Sequence, residues 1–420
     1  MDGRIVMISM HTCPLETPGG VKAGGMNVCV RELARALSQQ GVALDIFTRW
    51  RGIDQAPQVE LEEKARVIRL PAGPVAWVKK EELFGYLPDF LHSLQDFVQR
   101  EGLRYGLVHG HYWLSGWIAA QLKAAWHIPM VQSFHTLGEV KNLAAGDEDE
   151  REPRLRIEHE REIVAQADVV IAADTTERDQ LVELYGADPA RIRMVPCGVD
   201  TELFRPIPRA EARGRLGLSL DEKIVLFVGR LEALKGLDTL FQAFTQVDGH
   251  FSRPPRLLVV GGDLAKEAPK FESLRRLAAN LGIAERVSLL GMVEQPLLPY
   301  YYAAADVLAM PSYAESLGMV AIEAMACGTP VVVSRVGGLQ HTVLDGETGY
   351  QVPPRNPQAL AERLSQLLAD PVLAARLGQQ GIQRAAAYSW RLVAQGVLAV
   401  YQELGAVVPA RRIMRESGNQ

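Results

Sequence analysis

Long apolar runs are missing from this sequence. No stretch of about 18 apolar residues occurs, so no membrane-spanning helix is expected. The opening residues MDGRIVMISM lack the extended apolar region of a secretory leader, and a cytoplasmic location is expected. Cysteine is scarce: Cys13, Cys29, Cys197 and Cys327 stand far apart, with no Cys-x-x-Cys pair. That spacing argues against a disulfide scaffold or a zinc ribbon and fits a reducing compartment. A basic excess is also absent. Lys and Arg total 45 against 50 Asp and Glu, a net charge of -5. Proteins that neutralise nucleic-acid phosphates usually carry the opposite balance, so no nucleic-acid partner is expected. What is present is a globular composition, 48% hydrophobic and 23% charged, over 420 residues. At roughly 150 residues per domain, that length suggests two or three domains.

Short apolar, β-branched runs alternate with segments of helical period. Strands are predicted at 4–10, 42–48, 66–70, 107–111, 130–134, 169–173 and 192–196, with helices between them, for example at 28–39 and 81–100. The runs are continuous rather than alternating, as buried parallel strands require. The grammar then restarts, with strands predicted at 223–228, 256–260, 287–290, 307–310 and 330–334. Two such series imply two Rossmann-like, doubly wound α/β domains. The Gly- and Pro-containing stretch 196–206 reads as the linker and a hinge. Helices are predicted at 357–369, 373–387 and 390–404, followed by a frayed tail.

Three motifs carry chemistry. The first, Gly19-Gly20-Val21-Lys22-Ala23-Gly24-Gly25-Met26-Asn27, lies between a strand and a helix. Glycines admit a ligand close to the backbone, and the helix that follows presents unpaired N–H groups to an anion. It is not Gly-x-Gly-x-x-Gly, and no acidic residue about 20 positions on completes a dinucleotide fingerprint. A phosphate or sugar loop is the expectation, a plain turn the alternative. The second motif is Gly229-Arg230-Leu231-Glu232-Ala233-Leu234-Lys235-Gly236, in which two cations follow a strand end. Together they can clamp a diphosphate and neutralise charge developing on it, unless both are merely solvated.

The third motif places two glutamates eight apart, in Glu315-Ser316-Leu317-Gly318-Met319-Val320-Ala321-Ile322-Glu323. Glu323 falls in an apolar helical stretch, where a carboxylate is costly unless bonded, and ribose hydroxyls are natural partners. The N–H groups at 317–320 open the helix and suit phosphate. The alternative is a buried Glu pairing a neighbouring strand.

Among other residues, His109 and His111 share one face of a strand, but no third metal ligand is apparent and packing or substrate contact is preferred. The Asp-x-Asp of Asp147-Glu148-Asp149 reads as a solvated loop rather than a metal site. Cys327 reads as a small buried residue.

Glu315 with Glu323, Gly229-Arg230 with Lys235, and the early Gly-Gly loop together resemble the family 4 retaining glycosyltransferases of GT-B fold. The resemblance runs from about residue 4 to 404. It implies two Rossmann-like domains facing across a cleft: an acceptor-binding domain over 1–197 and a nucleotide-sugar domain over 198–389. It also implies a last helix, 390–404, that crosses back, with 405–420 as a tail. On this resemblance Arg230 and Lys235 hold the diphosphate, Glu323 the ribose and Glu315 the donor sugar. His135 then lies beside the transferred sugar. Gly24, Gly25, Ser316, Leu317, Gly318, Met319 and Val320 complete the donor site.

Within the family, Ala23-Gly24-Gly25-Met26-Asn27-Val28, His109-Gly110-His111-Tyr112-Trp113-Leu114-Ser115-Gly116 and Phe134-His135-Thr136-Leu137 look like the D-inositol 3-phosphate glycosyltransferases. The likeness implies a phosphorylated acceptor held by Lys80, Tyr112, Thr136 and Arg156, with Asn27 nearby and Arg154 as an alternative to Arg156. Two cations and two hydroxyls suit a phosphate dianion. Cys29 departs from the pattern by standing where the subgroup commonly has Tyr. Sucrose-phosphate synthases share much of the pattern, which keeps fructose 6-phosphate open as acceptor. A sugar-nucleotide epimerase of the same fold is a further alternative. The donor is expected to be a UDP-sugar carrying glucose or N-acetylglucosamine. Neither a cofactor nor a metal is expected, and a homodimer is possible.

Overall fold

The structure is a computed structural model that describes residues 3–16, 25–145, 151–247, 251 and 253–406, with backbone only at 80, 81 and 144. Two sheets organise the chain. The first contains β1 (Arg4–Ile8), β2 (Leu44–Arg49), β3 (Gln58–Glu62), β4 (Ala65–Leu70), β5 (Tyr105–His111), β6 (Met130–Ser133), β7 (Val169–Ala172) and β8 (Ile192–Met194). Its spatial order is β3-β4-β2-β1-β5-β6-β7-β8. Every neighbouring pair is parallel except β3 with β4. Its helices are α1 (Gly25–Gln39), α2 (Leu87–Arg100), α3 (Trp113–Trp126), α4 (Gly138–Ala144), α5 (Arg154–Gln166) and α6 (Thr175–Tyr185).

The second sheet contains β9 (Ile224–Val228), β10 (Arg256–Val260), β11 (Val287–Gly291), β12 (Val307–Met310), β13 (Val331–Ser334) and β14 (Gly349–Val352). Its order, β11-β10-β9-β12-β13-β14, is parallel throughout. The helices of this half are α7 (Arg209–Leu216), α8 (Leu237–Gln246), α9 (Ala268–Asn280), α10 (Leu298–Ala304), α11 (Met319–Ala326), α12 (Leu339–Thr342), α13 (Pro357–Ala369) and α14 (Pro371–Ala386), with α15 (Trp390–Glu403) last.

The inner strands follow the apolar runs because they are buried on both faces: β1, β9 and β13 expose almost nothing, while the edge strands β8 and β11 are partly exposed. Two strands have no such run to mark them. β3 is a half-exposed edge with only Val59 and Leu61 as apolar residues, and β14 is four residues long and begins at a glycine. The helix expected at 81–100 is broken, with a 3-10 turn over Lys80–Tyr86 and α2 beginning at Leu87. Pro88 explains the start, since proline is accommodated in a first turn and not inside a helix.

Each sheet is doubly wound. The chain reverses direction between β1 and β5 in the first and between β9 and β12 in the second. Ligands of such sheets bind beyond the carboxyl ends of the strands at this reversal. Helix α15 packs through Val393, Ala394, Val397 and Tyr401 into the cluster that holds Leu33, Ala34 and Leu37 of α1. The two halves also touch directly: the Ser316 hydroxyl donates to the His135 carbonyl at 2.7 Å, and His341 Nε2 lies 3.0 and 2.9 Å from the hydroxyls of Thr175 and Thr176.

Candidate active site

A cavity of about 650 Å³ lies where the carboxyl ends of the two sheets meet. His11, Asn27, His111, Tyr112, His135 and Thr136 line it from the first half, and Arg230, Lys235, Glu315, Ser316, Met319 and Glu323 from the second. The reversal points of both sheets therefore open into one space.

On the second wall, β9 ends at Val228, and a short turn over Ala233–Lys235 brings Lys235 back to the strand end. Gly236 closes that turn at φ +67°, and a Cβ there would stand 2.1 Å from the Pro311 carbonyl oxygen. Only glycine permits both the left-handed backbone and the close approach. As a result Lys235 Nζ lies 2.5 Å from Glu315 Oε2, with both side chains mostly buried. Arg230, at the end of the same strand, pairs with Glu232 at 2.7 Å and keeps about half of its side chain in solvent. Gly318 at φ +82° leads into α11, whose first N–H groups have no partner within the helix and open toward the cavity through Met319 and Val320.

Glu323 is buried on α11 and accepts a 2.6 Å hydrogen bond from Tyr302 of α10. Burial pushes its carboxyl up to about 7, and the Tyr302 bond only partly offsets this. The costly carboxylate read in the sequence thus has one protein partner, and it also reaches the cavity.

On the first wall, β5 and β6 deliver a histidine cluster. His111 Nδ1 is 3.0 Å from His135 Nε2, and His109 bonds the Tyr401 hydroxyl of α15 at 2.7 Å and the Ser133 hydroxyl at 3.0 Å. Burial holds His109 neutral, pushed down to about 3, and holds His111 well below the usual histidine range. The two metal-like histidines line the cavity while their ring nitrogens bond within the wall. Among the described residues no group of three or more His, Cys, Asp or Glu is arranged to hold a metal ion. Asp147 and Asp149 lie outside the described residues, as does Gly24. His135 itself adopts φ +61°, a left-handed conformation rare for a side-chain-bearing residue. This turn aims its carbonyl at Ser316 of the opposite wall.

Arg156 is completely buried. Its guanidinium bonds Glu160 at 2.7 Å, the Thr136 carbonyl at 2.7 Å and the Thr136 hydroxyl at 3.1 Å, and lies 4.9 Å from the Tyr112 ring centre. It does not line the cavity; it stands behind Thr136 and Tyr112, which do. Arg154 points into solvent and pairs with Glu158. Asn27 lines the cavity while its amide donates to Thr12 Oγ1 and the Cys13 carbonyl, tying α1 to the loop after β1. Lys80 opens the 3-10 turn before α2, and its neighbour Lys79 lines the cavity.

Lys141 and Glu177 are among the cavity residues that the sequence does not mark as site residues. Lys141 of α4 pairs with Glu152 at 2.9 Å. No motif marks it, because it enters from a short helix with one cation. Glu177 of α6 accepts from the Ala173 N–H at 2.7 Å, and burial raises its carboxyl to about 7. Here a signal existed. Asp174-Thr175-Thr176-Glu177 has capping-box spacing, and Asp174 Oδ1 does accept the Glu177 N–H at 2.9 Å.

These features agree with the comparisons to known proteins. The family model for Glycosyltransferase Family 4 matches residues 23–203, and that for Glycosyl transferases group 1 matches residues 208–384. A D-inositol 3-phosphate glycosyltransferase of Acidothermus cellulolyticus is 42% identical, over 95% of this chain and 90% of its own length. Another from Thermobifida fusca is 41% identical, over 96% and 93%. Among solved structures, sucrose-phosphate synthase from Thermosynechococcus elongatus is 37% identical with a TM-score of 0.89, covering 96% of this chain and 99% of that one. The Anabaena HepE structure in complex with UDP and glucose shares the fold at a TM-score of 0.75 and 20% identity, over 96% and 100%. The chain belongs to the family 4 glycosyltransferases of GT-B fold.

Proposed function

We propose that this glycosyltransferase moves glucose or N-acetylglucosamine from a UDP-sugar to a hydroxyl of a phosphorylated small molecule such as inositol 3-phosphate. The anomeric configuration is retained. The observation that carries this reading is one cavity with two unlike walls. Lys235, Glu315 and the start of α11 face Tyr112, Thr136 and Lys141 across it. The first set suits a sugar diphosphate, the second a phosphate on a polyol.

In this reading Glu323 accepts ribose hydroxyls while Arg230, Lys235 and the α11 N–H groups hold the diphosphate. Glu315 and His135 flank the donor sugar. Tyr112 and Thr136, braced by Arg156 from behind, meet the acceptor phosphate together with Lys80 and Lys141. No carboxylate pair at the spacing of a retaining glycosidase, about 5–5.5 Å, is needed. The cations lower the cost of the departing diphosphate charge, and a diphosphate oxygen takes the proton of the attacking hydroxyl on the same face. Two cations and a helix start do the neutralising, so transfer proceeds without a metal. Contacts between the walls, such as Ser316 to the His135 carbonyl, help exclude water that would hydrolyse the donor.

A second reading takes fructose 6-phosphate as acceptor. It is favoured by the likeness to sucrose-phosphate synthase over almost the whole chain. A matrix of UDP-glucose, UDP-N-acetylglucosamine, ADP-glucose and GDP-mannose against inositol 3-phosphate, fructose 6-phosphate and their unphosphorylated analogues separates the two. Nucleoside diphosphate release that requires inositol 3-phosphate supports the first reading. Release that requires fructose 6-phosphate supports the second, and release that ignores the acceptor removes both.

A further inference from the structure

Two of the four cysteines meet in the cavity. Cys29, on the second turn of α1, and Cys197, on the link that leaves the first sheet, both line it. Both pack with Met319 in one apolar cluster, and each thiol shifts the titration of the other. Cys197 Sγ also lies 3.6 Å from the Sδ of Met319, the first residue of α11. A Cβ on Gly25 would stand 3.1 Å from that same sulfur. The thiol pair therefore sits where the starts of α1 and α11 converge. Cys13 and Cys327 are buried away from the cavity lining, and none of the four is in a disulfide.

We infer that Cys29 and Cys197 form a covalent-modification site, a dithiol that exchanges with small disulfides of the glutathione class and closes to an intramolecular disulfide. Cys29 is the attacking sulfur. The neighbouring Cys197 and His135 pull its thiol down to about 6 against the opposing effect of burial, while burial and Cys29 hold Cys197 protonated, well above the usual thiol range. A low-pKa thiolate beside a protonated partner is the arrangement of thiol–disulfide exchange centres. The Cys29 thiolate attacks one sulfur of the small disulfide, the S–S bond breaks, and one small thiolate leaves and is protonated by solvent. Cys197 then loses its proton and attacks Cys29 Sγ, expelling the second small thiolate. Two protein thiols and one small disulfide become one protein disulfide and two small thiols.

Linking Cys197 to Cys29 changes its 3.6 Å contact with Met319 and so bears on the start of α11. That consequence rests on the proposed donor site. It makes the pair a covalent inhibitor site for nucleotide binding, special to a chain with cysteine at position 29.

The test uses the full chain with oxidised glutathione in excess, followed by peptide mass mapping and by titration of UDP. A linked peptide containing Cys29 and Cys197 is expected, two hydrogens lighter than the reduced pair. UDP affinity should fall about tenfold or more and return on reduction with dithiothreitol. UDP added first should slow the reaction. The Cys29→Ser, Cys197→Ser double variant should bind UDP with or without oxidant. Modification confined to Cys13 or Cys327, or oxidised wild type with both Cys29 and Cys197 still as thiols, overturns the inference. So does equal loss of UDP binding in the double variant. If the reduced chain fails to bind UDP, the donor reading falls, while the linked peptide still decides the thiol pair.

Discussion

Lys235 Nζ and Glu315 Oε2 stand 2.5 Å apart, joining the turn after β9 to the loop after β12 across the reversal point of the second sheet. The pair is mostly shielded from water, which makes it a preset element rather than a surface ion pair. Each charge holds the other where the donor is proposed to bind. On the proposed reaction, the diphosphate takes over Lys235 and releases Glu315 toward the sugar.

Lys235→Ala should lower turnover about 100-fold, the scale of one lost charge-stabilising group, while leaving the melting temperature within a few degrees. Steady-state kinetics beside thermal denaturation checks this. Unchanged turnover removes Lys235 from the diphosphate.

Arg156 and Lys141 should separate. Arg156→Ala leaves Glu160 buried without its ion pair, at a cost of about 3–5 kcal/mol, so the folded protein should be visibly less stable. Lys141→Ala removes a partly exposed cation that lines the cavity, so it should raise the acceptor Michaelis constant at nearly unchanged stability. Denaturant titration and acceptor saturation curves read the two effects. An acceptor Michaelis constant unmoved by Lys141→Ala takes that residue out of the acceptor site.

Glu323 carries a pH signature. Its carboxyl rises from 4.5 to about 7 in the folded chain, so between those values the native state keeps a proton that the unfolded chain has lost. Stability must fall as pH rises through that window, by roughly 3 kcal/mol at most for this group. Glu323→Gln stays neutral and can still accept from Tyr302. Its melting temperature relative to wild type should therefore improve from pH 5 to pH 8. A difference that does not change with pH contradicts the assignment.

Gly337 supports the Glu315 loop from below. Its φ is +46°, and a Cβ would lie 1.8 Å from the Glu315 carbonyl oxygen. Gly337→Ala must shift one or the other, so turnover should drop with a smaller loss of stability. Wild-type kinetics in this variant would show that the loop position does not matter.

Much of this was legible before the fold was known, and for physical reasons. β9 reads Ile-Val-Leu-Phe-Val because both of its faces are covered, and continuous runs of that kind announce parallel strands. Glu315, Glu323, Arg230 and Lys235, which all line the cavity, stand out in the sequence because charge beside glycine, or inside an apolar helix, needs an explanation. β3 and β14 were not, since an exposed edge and the sequence Gly-Tyr-Gln-Val carry too few apolar positions to form a run. The role of Arg156 was legible only as a residue type. That its guanidinium turns inward to Glu160 and the Thr136 carbonyl is decided by packing of α5 against the wall. The bond from His109 to Tyr401 spans 292 residues, beyond any local pattern.

The most direct test is transfer from a UDP-sugar to inositol 3-phosphate, compared with the same inositol lacking its phosphate, with the anomeric proton of the product read by NMR. A product is expected only with the phosphorylated acceptor and with the donor's own anomeric configuration. Equal transfer to both acceptors, or an inverted product, would contradict it.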